Sequence, residues 1–352
     1  METTDGPVAV ITGVTGQDGS YLAEFLLNKG YSVHGLLRRT SNVPTERIEQ
    51  LIENRKFRLH YCDVTDSQNV YEVLRNVEKL ASHPPDEIYN LAAQSHVQVS
   101  FVMPHYTSQV DALGTLNLLN AIKEMGWSKT TRFYQASTSE MFGSSPPPQS
   151  ETTPFHPRSP YAVAKLYAYW MTIQYREAHG MFAVNGILFN HESPRRGLNF
   201  VTRKVTRGVG QILRKEISCL FLGNLSSRRD WGHAKDYVRA MWLMLQQPKP
   251  HDLVIGTGIS HSIRDLVVKA FRGINVEVVF EGEGVDEVGI NKDTREVVVR
   301  VDRKYFRPTE VENLLADPRR AKKLLGWTPI YTFDSLIEEM VEHDCKQTRH
   351  TY

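Results

Sequence analysis

The run Pro7 to Thr12 (PVAVIT) is continuously apolar and rich in β-branched residues, as a strand is when both faces of a parallel sheet are covered. Glycines at 13, 16 and 19 follow directly. Ser20 to Lys29 then places Leu22, Phe25 and Leu26 at helical spacing and stops at Gly30, a residue that tolerates the left-handed backbone of a helix C-cap. A strand that passes through so short a turn into a helix constrains what comes next, because the following strand lies parallel to it after a right-handed crossover.

The alternation repeats. Strands are expected at Ser32–Leu37, Phe57–Cys62, Glu87–Leu91, Thr131–Ala136 and Phe182–Phe189, and helices at Thr45–Glu53, Ser67–Lys79, Tyr106–Met125 and Tyr161–His179. Such a chain is α/β, a doubly wound parallel sheet of Rossmann type covered by helices. After Asn190 the pattern loosens into polar loops (NHESPRRG, GNLSSRRDWG), a helix Ala234–Gln246, a short strand Leu253–Gly256 and a mixed tail ending in helix Phe333–Cys345. These suit a smaller, mixed α/β C-terminal lobe that closes over a ligand. The expected division is 1–189, with 232–258 returning to it, against 190–231 and 259–352.

Composition narrows the function classes. The 352 residues balance 42 Lys+Arg against 40 Asp+Glu, too even a charge for a nucleic-acid footprint. Cys62, Cys219 and Cys345 are too few and too scattered for a disulfide framework or a zinc site, so a reducing compartment and no metal are expected. The leader carries Glu2 and Asp5 where a signal peptide would be basic, and no apolar run nears the roughly 20 residues of a membrane span. A cytoplasmic protein without membrane contact is the expectation.

The glycine spacing GxxGxxG departs from GxGxxG, yet it stands between the first strand and the first helix, where backbone N–H groups and the helix N-terminus receive a pyrophosphate. A purely structural turn is the other reading. About 20 residues on, an NAD site usually carries a carboxylate for the ribose. Here the chain reads Arg38-Arg39-Thr40-Ser41, which favours the 2′-phosphate of NADP over a merely solvated basic turn. Tyr161 and Lys165 begin a helix four residues apart, so phenol and ammonium share a face. A nearby cation and a nicotinamide would lower the phenol's pKa toward neutrality. Thr138-Ser139-Glu140 lies just past a strand end, at the ligand-binding edge of such sheets.

Together the glycine turn, the strand-end Ser/Thr and the YxxxK helix resemble the extended short-chain dehydrogenase/reductase family over nearly the whole chain. The blocks QASTSEMFG, SPYAVAKLYAYW, GILFNHESPRRG, FVTRKVTR, RRDWGHAKDYV and YFRPTEV look within it like the GDP-mannose 4,6-dehydratases. That resemblance implies a lyase that converts GDP-mannose to GDP-4-keto-6-deoxymannose with a resident NADP. It puts Thr138, Glu140, Tyr161 and Lys165 in the catalytic group. Tyr161 would take the O4 proton, Lys165 would lower the tyrosine pKa and hold the nicotinamide ribose, and Thr138 would bond O4. Glu140 would remove H5 before water leaves C6. Related dTDP-glucose dehydratases carry Asp-Glu where this chain has Ser139-Glu140, which leaves Tyr161 or a water as the acid for the leaving hydroxyl.

The resemblance further implies cofactor contacts at Gly13, Thr15, Gly16, Gln17 and Asp18 for the phosphates and at Arg38, Arg39, Thr40 and Ser41 for the 2′-phosphate. Asp63 and Val64 would flank the adenine, and Leu91, Ala93, Ser95, Tyr106, His191 and Arg196 would line the ribose and nicotinamide. Asn190, Lys204, Arg229, Arg307 and Glu310 would hold the GDP-sugar. It implies a homodimer or homotetramer. A simple epimerase of the same fold would have no need of Glu140, and a non-catalytic NADP-binding protein no need of the whole catalytic group.

Overall fold

The computed structural model describes residues 6–42, 44–306 and 309–346. Its central sheet contains β1 (Val8–Thr12), β2 (Ser32–Leu37), β3 (Phe57–Tyr61), β4 (Glu87–Asn90), β5 (Arg132–Thr138), β6 (Phe182–Leu188) and β10 (Leu253–Ile255). The order is β10-β6-β5-β4-β1-β2-β3, and every pairing is parallel. β1 and β2 are buried along their whole length, which accounts for their unbroken apolar character. The chain runs outward from β1 through β2 and β3 and then returns to β4 on the other side of β1. A ligand crevice opens at that reversal, beyond the carboxyl ends of the strands.

Helices cover both faces. α1 (Gln17–Asn28) packs with α9 (Ala234–Leu245) through Leu22, Ala23, Leu26, Tyr237 and Met241. α3 (Ser67–Ala81), α6 (Gly114–Glu124) and α7 (Pro160–His179) cover the other face, with Val70, Leu74, Leu118, Ile122 and Tyr175 in its core. The short α2 (Glu49–Ile52) replaces the longer helix expected at 45–53. Its segment is held from outside itself: the Arg47 guanidinium donates to the carbonyls of Arg195 and Thr15 at 2.8 and 3.2 Å.

The helix expected over Tyr106–Met125 is present, with a π-helical turn inside it. α4 (Val97–Val102) and α5 (Pro104–Ser108) come first, then a π-helical turn Gln109–Leu113, then α6. Pro104 has no N–H to continue a preceding turn and stands at the first position of α5. A Cβ on Gly114 would come 2.8 Å from Val64 Cγ2, so the chain passes closely over the loop after β3. The wider π-turn turns Asp111 inward.

The remaining strands form two small sheets. β7 (Asn190–Glu192), β9 (Arg228–His233), β11 (Ser260–Ser262) and β15 (Asn313–Leu314) form one, and β8 (Leu220–Leu222), β12 (Val278–Glu281), β13 (Val288–Asn291) and β14 (Val297–Val301) the other. α8 (Val201–Leu213), α10 (Ile263–Arg272) and α12 (Phe333–Lys346) pack on a separate core of Val205, Val209, Phe271, Ile337 and Met340. Within it Arg203 pairs with Asp344 at 2.7 Å, and Thr206 Oγ1 donates to the same carboxylate at 2.6 Å. α11 (Arg319–Leu325) packs beside β10 and α9. Among the described residues, no helix is long and apolar enough to cross a membrane.

His34 in β2 stacks on His60 in β3 with ring centroids 5.1 Å apart and Nδ1 to Nε2 at 2.9 Å. Burial, aided by His60 and Arg58, pushes the His34 imidazole from its ordinary 6.5 down to about 4. The folded pKa is the lower one, so this stabilisation is complete above the unfolded value and is lost as pH falls from 6.5 toward 4. We expect urea unfolding at pH 7 and pH 4.5 to differ by about 2–3 kcal/mol more for the wild type than for His34→Leu.

Candidate active site

The Gly13–Gly19 turn lets the first helix begin against the sheet. Gly13 has φ +67°, and a Cβ there would meet the Ala92 backbone nitrogen at 3.0 Å. A Cβ on Gly19 would stand 2.3 Å from the Gly13 carbonyl oxygen. The N-cap of α1 is Gly16, with no side chain bonding back to the first turn. Free backbone N–H groups and the positive end of a helix therefore meet the crevice, a cradle that fits an anion such as a pyrophosphate.

Asp18 enters that first turn, and its carboxylate is engaged by neighbouring side chains. Oδ2 accepts from His191 Nε2 at 2.7 Å, and Oδ1 accepts from Gln17 Nε2 at 3.0 Å. His191 Nδ1 lies 2.8 Å from the Phe189 carbonyl oxygen. Both ring nitrogens thus point at acceptors, which only an imidazolium satisfies. Burial disfavours that charge, yet the Asp18 carboxylate outweighs burial and holds the His191 pKa above its ordinary value. The same partnership holds Asp18 below its ordinary value despite burial. The ring stacks on Tyr237 at 4.4 Å and fastens β7 to the start of α1.

At the next strand end, Thr138 closes β5, and a single 3₁₀ turn, Ser139–Met141, follows. Thr138 Oγ1 accepts the Glu140 N–H at 3.2 Å, which aims Glu140 back across the crevice. α7 starts opposite. Ser159 Oγ accepts the Ala162 N–H at 3.1 Å and Pro160 opens the first turn, so the helix begins one residue before Tyr161. Lys165 lies one turn on, its Nζ 5.9 Å from the Tyr161 ring centre and donating to the Ala136 carbonyl at 3.1 Å. All four side chains are buried. The phenol is pushed up, not down: burial raises its pKa, the charges of Asp111 and Glu140 add to that, and the Thr138 hydrogen bond and Arg196 only partly oppose it. Burial likewise lowers the Lys165 ammonium, with Asp111 opposing.

A continuous cavity of about 930 Å³ joins these groups. Of the residues named from sequence, its wall includes Gly13, Thr15, Gly16, Gln17, Asp18, Leu91, Ala93, Ser95, His191 and Arg196, together with Thr138, Glu140, Tyr161 and Lys165 and with Asn190, Lys204, Arg229 and Glu310. Arg38, Arg39, Thr40, Ser41, Asp63, Val64 and Tyr106 stand outside that wall, near the carboxyl ends of β2 and β3. There Arg38 donates to the Tyr106 hydroxyl at 2.6 Å, and Arg39 lies 5.2 Å over the Tyr61 ring. Arg307 lies outside the described residues. Arg229 pairs with Glu310 at 3.7 Å, and Lys204 sits 3.2 Å from the Tyr305 ring centre.

The sequence profile of the GDP-mannose 4,6 dehydratase family matches residues 10–340. The chain belongs to that family. A GDP-mannose 4,6-dehydratase of Vibrio cholerae is 55% identical over 354 residues, covering 96% of this chain and 94% of that protein. The GDP-mannose 4,6 dehydratase of Homo sapiens is 55% identical over 349 residues, covering 97% and 92%. Solved structures share the fold at lower identity. Among them are a Bacillus anthracis dTDP-glucose 4,6-dehydratase in complex with NAD (TM-score 0.77, 19% identity, 96% of each chain) and Pseudomonas aeruginosa RMD with NADPH (0.74, 21%, 97% and 100%).

For a member of the GDP-mannose 4,6-dehydratase family, several residues on this wall carry no obvious signal in the sequence. Glu192, 2% exposed, pairs with Arg196 at 3.0 Å and accepts from Thr202 Oγ1 at 2.6 Å. Gln98 and Tyr305 stand on the same wall, while Asp111 is buried behind it on the π-helical turn.

The Asp18–His191 pair gives a stability test. His191 has a raised folded pKa, so its contribution is complete below the unfolded value and is lost as pH rises through the folded one. His191→Leu leaves the half-buried Asp18 carboxylate without this partner and should cost about 1–3 kcal/mol near neutral pH. The gap between wild type and variant in thermal unfolding should narrow as pH is raised.

Proposed function

We propose that the protein converts GDP-mannose to GDP-4-keto-6-deoxymannose, with NADP resident on the glycine turn. The observation that carries this reading is the meeting of Glu140 with Tyr161, Thr138 and Lys165 in one buried cavity that begins at the open N-terminus of α1. A redox site alone needs Tyr161 and Lys165; a buried carboxylate beside them serves an elimination.

When bound, the nicotinamide supplies a hydride acceptor that later serves as the donor. The chain's own groups do the rest. Gly13, Thr15, Gly16 and Gln17 would hold the pyrophosphate. Arg38, Arg39, Thr40 and Ser41 would hold the 2′-phosphate, since no carboxylate stands at that strand end to select NAD. Asp63 and Val64 would flank the adenine, and Leu91, Ala93, Ser95, Tyr106, His191 and Arg196 the ribose and nicotinamide. Burial keeps the Tyr161 phenol protonated although Arg196 works against it; an oxidised nicotinamide, when bound, would supply further positive charge to lower it. Tyr161 then takes the O4 proton as C4 is oxidised, with Thr138 bonded to O4 and Lys165 placed by Ala136.

The 4-ketone makes H5 acidic, Glu140 removes it, hydroxide leaves C6 as water once protonated by Tyr161 or by a water, and the hydride taken from C4 would then return to C6 as Glu140 returns the proton to C5. Net redox change is nil. Asn190, Lys204, Arg229, Glu310 and Arg307 would hold the GDP part, guanidiniums suiting two phosphate charges. On this reading 1–189 with 232–258 holds the cofactor, and 190–231 with 259–352 holds the sugar nucleotide. The exposed apolar residues Val163, Tyr167 and Trp170 on α7 and Leu113 beside it support a homodimer across those helices. The free cysteines suit a cytoplasmic setting.

Purified protein given GDP-mannose and catalytic NADP⁺ should release a product one water lighter, and deuterium placed at C4 should appear at C6. Glu140→Gln should lower kcat by about 10²–10⁴-fold while NADP binding, read by calorimetry, is unchanged. A product of unchanged mass would mean an epimerase instead.

A further inference from the structure

No step above uses Asp111. It is 1% exposed, on the π-turn between α5 and α6. Oδ1 accepts the Gln94 N–H at 2.7 Å, just past β4, while Oδ2 is buried and accepts no hydrogen bond from the described residues. A carboxylate so placed is costly unless a cation compensates it. The π-turn packs directly against α7, and the charge that reaches Asp111 from there is that of Lys165. Lys165 has the mirror-image need. It is 2% exposed, and its ammonium donates to the Ala136 carbonyl, a neutral acceptor.

We propose that Asp111 is the counter-ion of the catalytic lysine, a positioning residue that holds Lys165 in its ammonium form inside the closed site. Through Oδ1 it also ties the Leu91–Gln94 strand end to the same charge. This deepens the functional reading above and rests on it for the role of Lys165, although not for the pairing of the two charges.

Other charges bear on the cluster. Tyr161 shares α7 with Lys165, and Asp111 pushes its phenol up. Glu140, from the 3₁₀ turn, acts on the phenol in the same sense, and Arg196 opposes both. α5 and α6 also pack on the π-turn and bring His105, Tyr106, Lys123 and Glu124, but the charge that opposes burial at Asp111 is that of Lys165. Burial raises Asp111 to about 6, and Lys165 works against that rise, so the carboxylate is ionised above that pH. Its negative charge favours the protonated form of both neighbours.

Asp111→Asn keeps an oxygen for the Gln94 N–H and removes the charge. Both neighbours should then lose their protons more readily. The pH profile of kcat/KM for GDP-mannose should slide toward lower pH at both limbs, by roughly half a unit or more. A profile that stays in place, with only its height reduced, overturns the proposal.

Thermal unfolding supplies an arm that needs no turnover. Lys165→Met strands the carboxylate, so adding Asp111→Asn to it should raise Tm, whereas Asp111→Asn in the wild-type background should lower it. If Asp111→Asn lowers Tm equally in both backgrounds, the two charges are not coupled and the proposal fails, whatever the enzyme turns out to dehydrate.

Discussion

The placement of the whole crevice depends on backbone approaching backbone where no side chain intervenes. Gly13 lies against the chain just past β4, and Gly19 lies against Gly13 itself, at distances that a methyl group would violate. Gly35 in β2 extends the same contact, since a Cβ there would meet Val14 at 2.8 Å. With these three positions bare, α1 can begin against the sheet, with its uncapped first turn facing the strand ends. The same closeness brings Asp18 within reach of His191 on β7, so the first helix and the first strand of a small sheet are fastened at the mouth of the cavity.

Around that mouth the chain buries an unusual number of ionisable groups, and it does so mostly in opposed pairs: Asp18 with His191, Glu192 with Arg196, Arg229 with Glu310, and Asp111 facing Lys165. Such pairs add little net stability, since desolvation consumes most of their attraction. Their value is orientation in a dry place. Fixed dipoles and charges need no rearrangement when a sugar oxygen develops charge, and the phenol of Tyr161 rests protonated until another cation arrives. A lysine four residues along a helix together with a nicotinamide suggests a lowered phenol pKa; in the protein alone burial, Asp111 and Glu140 push it up, so the lowering is left to the cofactor's charge.

The early strands and helices were legible because each satisfies a local rule: apolar β-branched runs for buried strands, helical spacing ending in glycine, and a glycine turn between them. Elements held by distant contacts were not. The helix expected at 45–53 shrinks to Glu49–Ile52 while Arg47 bonds to carbonyls far along the chain. The helix expected at 106–125 is present but starts at Pro104 and widens into a π-turn at Gln109–Leu113. The strands Val288–Asn291 and Val297–Val301 carry little signal in the mixed tail, because each is short and, besides pairing with the other, is held by β12 or by β8 from farther along the chain.

The candidate site divides in the same way. Gly13, Gly16, Gly19, Thr138, Glu140, Tyr161 and Lys165 could be picked out beforehand, because their chemistry and spacing are local and their blocks resemble a known family. Asp111 and Glu192 could not, since a carboxylate becomes significant only when burial removes its water and folding sets a cation beside it. By itself the sequence determined the order of strands and helices and the residues able to move protons, both written within a few turns of chain. The tertiary structure alone decided which of those groups share one cavity and what charge each carries there, because desolvation and Coulomb attraction depend on neighbours brought from elsewhere in the chain.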